Sequence, residues 1–402
     1  MAVLLHVHAK PHERDPLALE QESLLRAFDS RQQNLAAGAD HALPRQQAAG
    51  GVQCPGHLPR GARKAGGIGD VAIGRDLAAR NFADGRADAR EHAAVGLPFH
   101  LWLNPARVRA VAILGPDVSP QYLALFSGAG CEIIGHKRGE PVPSADAAIV
   151  LGGDGTIHHY LRDLSQLKIP VLMVPRGSGN DFARALGLRS DGDAVAGWNR
   201  FLDTGHFREI DLGMITPLGE TEPQPQLFCN VAGAGLDSEA NRRANAMPRW
   251  LRARGGYLLG ALLAMRSFSA QRFVIEAQQV AFPARRIDEP GMMVAFSNGP
   301  SYGGGLRIAP ATDFADGQLD VCFVRQVGRA RLMWLLHRVF SGQHVKLPEV
   351  ECFKASSLRL ETEVPLDVYA DGEFVCRTPV KVSVVPRALR TIVREPCQQG
   401  GQ

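Results

Sequence analysis

The sequence has 402 residues, of which 45% are hydrophobic and 21% are charged, so it can form at least one sizeable hydrophobic core. Its formal net charge is only +4, which argues against a nucleic-acid-binding protein. The 7 cysteines are scattered without a Cys-x-x-Cys pair, which excludes a disulfide framework or a structural zinc site and favours a reducing cytoplasm.

The first 105 residues are weakly patterned. They hold seven of the 13 histidines, diluted among alanine, glycine, arginine and glutamine, at spacings that support no metal site. Apart from helical spacing over residues 17–28, no hydrophobic period is sustained, so this segment can bury little apolar surface. We expect residues 1–105 to be a disordered or non-native N-terminal extension.

Residues 106–210 alternate short apolar strands with helices, which predicts a doubly wound α/β lobe. Strands are predicted at residues 110–114, 131–134, 145–151 and 168–174. Helices are predicted at residues 119–127 and 157–167, and from residue 181 to the glycine at 187.

A glycine-rich turn, Gly152-Gly153-Asp154-Gly155-Thr156, joins the third of these strands to its helix. Glycines let a backbone approach a phosphate closely, and the helix N-terminus offers unpaired N–H groups with a positive dipole. Asp154 would repel a phosphate unless a divalent cation or a water network lies between them. The motif therefore predicts an anion site, although alone it could be an ordinary strand-to-helix turn.

A second turn, Gly177-Ser178-Gly179-Asn180-Asp181, follows the next strand. Both turns lie at the carboxyl ends of parallel strands, where doubly wound sheets bind their ligands. From residue 211 to 394 the pattern changes to short strands at residues 227–232, 273–277, 292–297, 319–324, 357–361 and 380–385. This pattern predicts an antiparallel β-sandwich lobe, interrupted by helices at residues 249–268 and 329–340 and followed by a flexible tail at 395–402.

The two turns, in this order, resemble the catalytic domain of the diacylglycerol kinase family, and most closely its bacterial soluble members, which are related to sphingosine kinases and more distantly to NAD kinases. The resemblance covers residues 108–394 and includes four further blocks: Asn298-Gly299-Pro300-x-Tyr302-Gly303-Gly304-Gly305, Ile308-Ala309-Pro310, Asp316-Gly317-x-Leu319-Asp320 and Asp371-Gly372-Glu373. Each block alone could be a simple turn or cap. The glycine turn at 152–155, Asn180-Asp181, Gly303–Gly305, Asp316-Gly317 and Asp371-Gly372 would be five separate coincidences in family order, which is much less expected than one kinase.

The resemblance implies a two-lobed kinase that binds ATP and Mg²⁺ in the cleft between the lobes and phosphorylates diacylglycerol to give phosphatidate. It implies Glu373 as the proton acceptor, with Asp154 as a second candidate catalytic residue. It implies a magnesium site at Asp316 with the backbone carbonyls of Asp313 and Gln318. The residues implied for nucleotide binding are Gly152, Gly153, Asp154, Gly155, Thr156, Gly177, Ser178, Asn180 and Asp181.

One departure from the family pattern and several rival functions stay open. Members of the family usually carry Asn-Pro-x-Ser-Gly after the first strand, whereas this sequence has Gly115-Pro116-Asp117, which places the adenine-side contacts in question. The acceptor could instead be a sphingoid base, ceramide or monoacylglycerol. The chain could also be an NAD kinase, although that family lacks the Asn-Gly-Pro block, or a nucleotide-binding regulator without turnover.

Membrane contact is a separate prediction. Arginines at 242, 243, 249, 252 and 254 precede the apolar run at 257–263, and basic residues at 329, 331, 338 and 346 flank a second apolar helix. Such helices can lie on anionic lipid, although packing one face on a core is the commoner arrangement. No apolar run approaches the roughly 20 residues of a membrane span. We therefore expect a cytoplasmic protein that meets its lipid substrate at the inner membrane surface, and an exposed edge strand could pair two copies into a homodimer.

Overall fold

The computed structural model describes residues 108–394, except 129, 220–221, 249–250, 252–254 and 281. The predictions for residues 1–105, including the helix at 17–28, and for the tail at 395–402 fall outside the described residues. The predicted division into lobes at residue 210 falls just inside a strand, Arg208–Pro217, that pairs within the sheet described below.

The first lobe is a parallel sheet with helices on its faces. Its strands are β1 (Val108–Leu114), β2 (Cys131–Gly135), β3 (Ala147–Gly152) and β4 (Pro170–Pro175), in the order β2-β1-β3-β4. The helices are α1 (Asp154–Leu167), α2 (Asp181–Ala185) and α3 (Asp191–Thr204). Every residue of β3 is buried, as its unbroken apolar sequence predicts for a central parallel strand. The carboxyl ends of β3 and β4 therefore place both glycine turns at one edge of the sheet.

Two details of this lobe differ from the predictions. The helix predicted at 119–127 is a short 3-10 helix, Pro120–Leu125, which has no fully buried residue to hold a longer α-helix on the core. Helix α3 was not predicted, although Ser190 caps it by accepting a hydrogen bond from the backbone N–H of Asp193. Its buried Trp198 and Phe201 pack into the core of this lobe.

The second lobe is an antiparallel sandwich that carries helices on one side, so the predicted fold class is confirmed. Its strands are β5 (Arg208–Pro217), β6 (Gln226–Phe228), β7 (Val231–Gly235), β8 (Gln271–Gln278), β9 (Arg285–Ser297), β10 (Leu319–Arg325), β11 (Val350–Ala355), β12 (Ser357–Thr362), β13 (Asp367–Ala370), β14 (Glu373–Arg377) and β15 (Val380–Thr391). Its helices are α4 (Leu236–Asn245), α5 (Gly256–Ser267) and α6 (Arg329–Phe340), and a 3-10 helix spans Gln343–Lys346.

One predicted strand of this lobe is corrected. The strand predicted at 227–232 is divided between β6 and β7, because the backbone N–H groups of Cys229 and Asn230 turn away to the carboxylate of Asp371. Within the helix predicted at 249–268, the structure describes an α-helix from Gly256 to Ser267, and residues 249, 250 and 252–254 lie outside the described residues. This helix packs on α4, which was not predicted.

Strand β15 joins the two lobes. It runs antiparallel to β12, where Val380 pairs with Leu360, and antiparallel to β5 along nearly its whole length. At its end, Arg390 and Thr391 pair in parallel with the start of β4. The chain thus returns from the sandwich to the α/β sheet, and one hydrogen-bonded sheet passes through both lobes.

Candidate active site

The two glycine turns of the first lobe touch each other through their backbones. A Cβ atom added to Gly177 would lie 2.5 Å from the Cα of Gly153, and one added to Gly153 would lie 2.8 Å from the Cα of Gly177. Neither position has room for a side chain, which is the physical reason that both are glycine. The turns after β3 and β4 therefore form one continuous backbone surface.

Asn180 fixes the second turn. Its backbone adopts a left-handed conformation with φ 54°, and its side-chain amide both accepts from the backbone N–H of Gly177 at 2.8 Å and donates to the carbonyl of Gly177 at 2.7 Å. Ser178 at the tip of the turn is exposed and lines the cleft, where its hydroxyl can face a ligand. The asparagine thus supports the predicted phosphate turn from behind.

Asp154 connects the first turn to the second. Its carboxylate oxygens accept hydrogen bonds from the backbone N–H groups of Phe182, at 3.0 Å, and Asp181, at 3.1 Å, at the start of α2. Burial raises the pKa of Asp154 to about 6, and the nearby carboxylates of Asp181 and Asp371 add to the rise against these two hydrogen bonds. An acid in this glycine turn is therefore explained by capping of α2, without a cation between it and a phosphate.

Asp181 spans the two lobes. Its carboxylate accepts from the hydroxyl of Ser301 at 3.1 Å and from the backbone N–H of Gly304 at 2.7 Å, and it pairs with Arg184 at 2.5 Å. The side chain is almost fully buried by these partners. Although Asp181 lines the cleft with the predicted nucleotide-binding residues, its acceptor oxygens are directed at the protein itself.

A cleft of about 960 Å³ lies between the lobes. Glycines 152, 153, 155 and 177, with Thr156 and Ser178, line its α/β side. Glu373, at the start of β14, lines the opposite side, and its Oε1 would lie only 3.3 Å from a Cβ atom added to Gly155. The candidate base and the phosphate turn therefore meet across the cleft.

The segment after β1, whose sequence differs from the family motif, also lines this cleft. Gly115, Pro116 and Asp117 line it, and a Cβ atom added to Gly115 would lie 3.1 Å from the hydroxyl of Thr156. Arg138, which was not predicted as a site residue, is exposed at the same rim and offers a positive charge to an anionic ligand. The Gly115-Pro116-Asp117 segment thus lies beside the first glycine turn, although its side chains differ from those of the family motif.

Sequence reasoning missed a buried pair formed by Asp371 and His158. Asp371 adopts a left-handed conformation, and its fully buried carboxylate accepts from the backbone N–H groups of Cys229, Asn230 and Val231 and contacts Nδ1 of His158 at 3.0 Å. Burial opposes the imidazolium, but the hydrogen bond and charge of Asp371, with the charge of Glu373, outweigh it and raise the pKa of His158. This network anchors the Asp371-Gly372-Glu373 turn to α1, and the Asp-Gly-Glu block was its sequence signal.

A third group closes the inner end of the cleft. The buried carboxylate of Asp237 accepts a hydrogen bond from the hydroxyl of Tyr257, which lies 2.9 Å from the hydroxyl of Tyr302. Burial raises the pKa of Asp237 against the hydrogen bonds from the two tyrosines. Tyr302 belongs to the Asn-Gly-Pro block, whereas Asp237 and Tyr257 stand in no predicted motif.

The predicted metal residues lie elsewhere. Asp313, Asp316 and Gln318 form the turn before β10 and do not line the cleft. One oxygen of Asp316 accepts from the backbone N–H of Gln318, at 3.0 Å, and the other contacts the ammonium of Lys354, at 2.7 Å. The side chain of Asp313 pairs with Arg208 at 2.7 Å.

A magnesium ion at this turn would depend mainly on the backbone carbonyl oxygens of Asp313 and Gln318. Carboxylate and carbonyl oxygens are suitable ligands, but an ammonium group already contacts the only predicted carboxylate ligand. Among the residues described between 108 and 394, no group of three or more His, Cys, Asp or Glu side chains is placed to hold a metal ion. The magnesium site stays a prediction.

Two family models match the chain, one ending within β5 and the other beginning just before β7. Residues 137–215 match the diacylglycerol kinase catalytic domain, and residues 230–393 match the YegS C-terminal NAD kinase beta sandwich-like domain. The first match contains both glycine turns, and the second contains Glu373 and the Asn-Gly-Pro block.

Individual relatives agree with this assignment. The diacylglycerol kinase of Mycobacterium tuberculosis (strain ATCC 25618 / H37Rv) is 34% identical over 253 residues, which are 61% of this chain and 76% of the relative. The diacylglycerol kinase of Bacillus subtilis (strain 168) is 26% identical over 267 residues, which are 63% of this chain and 83% of the relative.

A solved structure from Bacillus anthracis str. Sterne shares the fold, with a TM-score of 0.55 and 22% identity, over 71% of this chain and 95% of that protein. None of the helices described between residues 108 and 394 combines the length and the hydropathy that a membrane span requires.

Proposed function

Because the chain belongs to the diacylglycerol kinase family of bacterial lipid kinases and is itself a lipid kinase, we propose that it transfers the γ-phosphoryl group of ATP to the hydroxyl of diacylglycerol. The product of this reaction is phosphatidate. The observation that carries the proposal is the opposition of Glu373 and the Gly152–Thr156 turn across one cleft.

The α/β side of the cleft suits the donor. Helix α1 begins at Asp154, inside the first glycine turn, so the positive end of its dipole lies at that turn. The N–H groups of Thr156 and Ile157 donate to the carbonyl of Gly153, which holds the turn on the helix. Phosphoryl transfer depends mainly on positioning and charge neutralisation, which such a backbone surface supplies. If Mg²⁺ accompanies ATP, it would add charge neutralisation at the phosphates, apart from the turn of Asp313, Asp316 and Gln318, which does not line the cleft.

The sandwich side suits the acceptor. A lipid hydroxyl must lose its proton as it attacks, and the carboxylate of Glu373 can accept that proton. The Asp371 network holds the turn that carries Glu373 through three backbone N–H groups and His158. Glu373 therefore acts as general base from a position that α1 and β7 fix.

A narrow apolar cavity adjoins the inner end of the cleft and suits a hydrocarbon chain. The two spaces share Asp237, Tyr257, Tyr302 and Leu306. The rest of the narrow cavity is lined mainly by aliphatic side chains of α4, α5, α6 and β9. Its volume of about 50 Å³ admits part of an acyl chain, with the tyrosine hydroxyls at the polar end.

The proposal is tested by replacing Glu373 with glutamine. We expect Glu373→Gln to lower kcat for diacylglycerol phosphorylation by about 10²- to 10⁴-fold, because glutamine cannot accept the proton. The affinity for ATP, measured by calorimetry, should be unchanged because the phosphate turns are intact. Glu276→Gln, an exposed glutamate paired with Arg286, is the matched control and should keep full activity. A Glu373→Gln enzyme with normal kcat would exclude Glu373 as the base.

A further inference from the structure

Helix α5 exposes its large apolar side chains and buries its small ones, the reverse of an ordinary surface helix. Its buried side consists mainly of small residues, Gly256, Gly260, Ala261 and Ala264, together with Met265. A Cβ atom added to Gly260 would lie 2.5 Å from the carbonyl oxygen of Ala240, so α5 packs closely on α4. Its leucines face outward instead, with Leu258, Leu259, Leu262 and Leu263 between 37% and 43% exposed. A helix that buries its glycines and exposes its leucines presents an apolar surface that the described part of the chain leaves uncovered.

Helix α6 extends this apolar surface. It packs against α5, and its outward side carries Met333 and Phe340, each 47% exposed. The guanidinium carbons of Arg331 and Arg338 lie over the ring of Trp334, 4.1 Å and 4.7 Å from its centroid. Tryptophan with adjacent arginines is typical of side chains that lie at the level of lipid headgroups.

The two helical segments themselves carry basic residues and no acidic ones. Residues 242–268 contain six arginines, residues 327–346 contain three arginines and one lysine, and neither segment contains Asp or Glu. Arg243 and Arg331 form ion pairs with Glu239 and Glu349, whereas Arg266, Arg329 and Lys346 are exposed. The exposed basic residues described near the outward leucines are therefore Arg266 on α5, Arg329 on α6 and Lys346 after α6, in a chain whose net charge is only +4.

We propose that the outward face of α5 and α6 docks on a lipid bilayer that contains anionic phospholipid, with the leucines of α5 among the acyl chains and the basic residues at the headgroups. The face is continuous with the active site, because Leu258 and Phe340 line the cleft. Docking by this face would place the cleft next to the membrane, from which a diacylglycerol could enter it. The inference rests on the proposed function only for this last step.

Binding to vesicles tests the docking without any turnover. The full chain is sedimented with vesicles of phosphatidylcholine alone and with vesicles that also contain phosphatidylglycerol. We expect at least about tenfold stronger binding to the anionic vesicles, and loss of that difference near 1 M salt, where the Debye length falls to about 3 Å. The triple variant Leu259→Ser, Leu262→Ser, Leu263→Ser should lose binding by about tenfold or more at low salt.

A matched variant separates this face from general hydrophobicity. Val280→Ser, Phe282→Ser, Val364→Ser removes three apolar side chains that are between 54% and 69% exposed elsewhere on the sandwich lobe, and it should bind vesicles as the wild type does. Equal binding by both triple variants would overturn the proposal. A second result would also overturn it: the wild type does not bind vesicles, light scattering shows that it is a dimer, and only the leucine triple variant is a monomer. The face would then bind a second copy of the chain.

Activity on a dissolved acceptor separates docking from chemistry. With a short-chain diacylglycerol below its aggregation limit, the leucine triple variant should keep the wild-type kcat/KM, while with diacylglycerol in anionic vesicles it should lose about tenfold or more. An equal loss on both acceptors would place the leucines in the catalytic machinery and overturn the proposal. If the wild type binds anionic vesicles but phosphorylates neither acceptor, the docking inference stands and the proposed reaction fails.

Discussion

Asp181 of the α/β lobe holds Gly304 of the sandwich lobe: its Oδ2 accepts the backbone N–H of Gly304 at 2.7 Å. The same carboxylate accepts a hydrogen bond from the hydroxyl of Ser301 at 3.1 Å. The backbone N–H of Asp181 donates to the carboxylate of Asp154. The first glycine turn, the second glycine turn and the glycine-rich turn of the second lobe are therefore linked through two aspartates. These hydrogen bonds tie the α/β lobe to the sandwich lobe.

Replacing Asp181 with asparagine should loosen the two lobes. The carboxylate of Asp181 accepts from the Gly304 N–H, the Ser301 hydroxyl and the Arg184 guanidinium, whereas an amide has only one acceptor oxygen. At least one hydrogen bond to a charged group is therefore lost, which lowers the free energy of unfolding by about 1.5–3 kcal/mol. Urea unfolding of Asp181→Asn measures this cost, and Asp203→Asn on the exposed side of α3 is the control. Equal unfolding midpoints for the two variants would contradict the linkage.

Replacing Gly177 with alanine should disrupt the phosphate surface. The added Cβ atom would lie 2.5 Å from the Cα of Gly153, and two backbones cannot accommodate it without moving apart. We expect nucleotide affinity to fall on the order of ten- to a hundredfold, as an ångström-scale displacement of a binding surface does. Gly128→Ala, where an added Cβ atom meets nothing within 4 Å, should bind nucleotide normally. Calorimetric titration of both variants with an ATP analogue decides the matter.

The raised pKa of Asp154 predicts a pH dependence of stability. The folded state holds the proton up to about pH 6, whereas an unfolded aspartate releases it near 3.8, so the protonated carboxyl favours folding. This contribution is fully present below about pH 4 and is lost as the pH rises through about 6. Relative to Asp154→Asn, the wild type should lose up to about 3 kcal/mol of unfolding free energy between pH 4 and pH 7. Parallel curves for the two proteins would show that Asp154 ionises at its ordinary pKa.

The local motifs were readable from the sequence because neighbouring residues determine them. The buried strand and the glycines around Asp154 follow from apolar runs and backbone torsions, although α1 begins at Asp154, three residues before the predicted start at residue 157. Helix α3 had a readable signal as well, because Ser190 and Asp193 have the spacing of a helix cap.

The contacts between distant residues were not readable. Asp371 and His158 are 213 residues apart in sequence, and Asp181 and Gly304 are 123 apart. No local pattern specifies such partners, since they meet only when β15 brings the sandwich back to the parallel sheet. The outward direction of the leucines on α5 was equally hidden, because an apolar helix reads the same whichever side it buries.

The most direct test of the proposed reaction is transfer of labelled γ-phosphate from ATP to a panel of lipids, with Mg²⁺ and with a chelator. The panel contains diacylglycerol, monoacylglycerol, sphingosine and ceramide, with NAD as a soluble control. We predict metal-dependent label in phosphatidate. Label in another lipid would keep the reaction and change the acceptor, whereas label in NAD alone, or no label despite ATP binding, would contradict the proposed function.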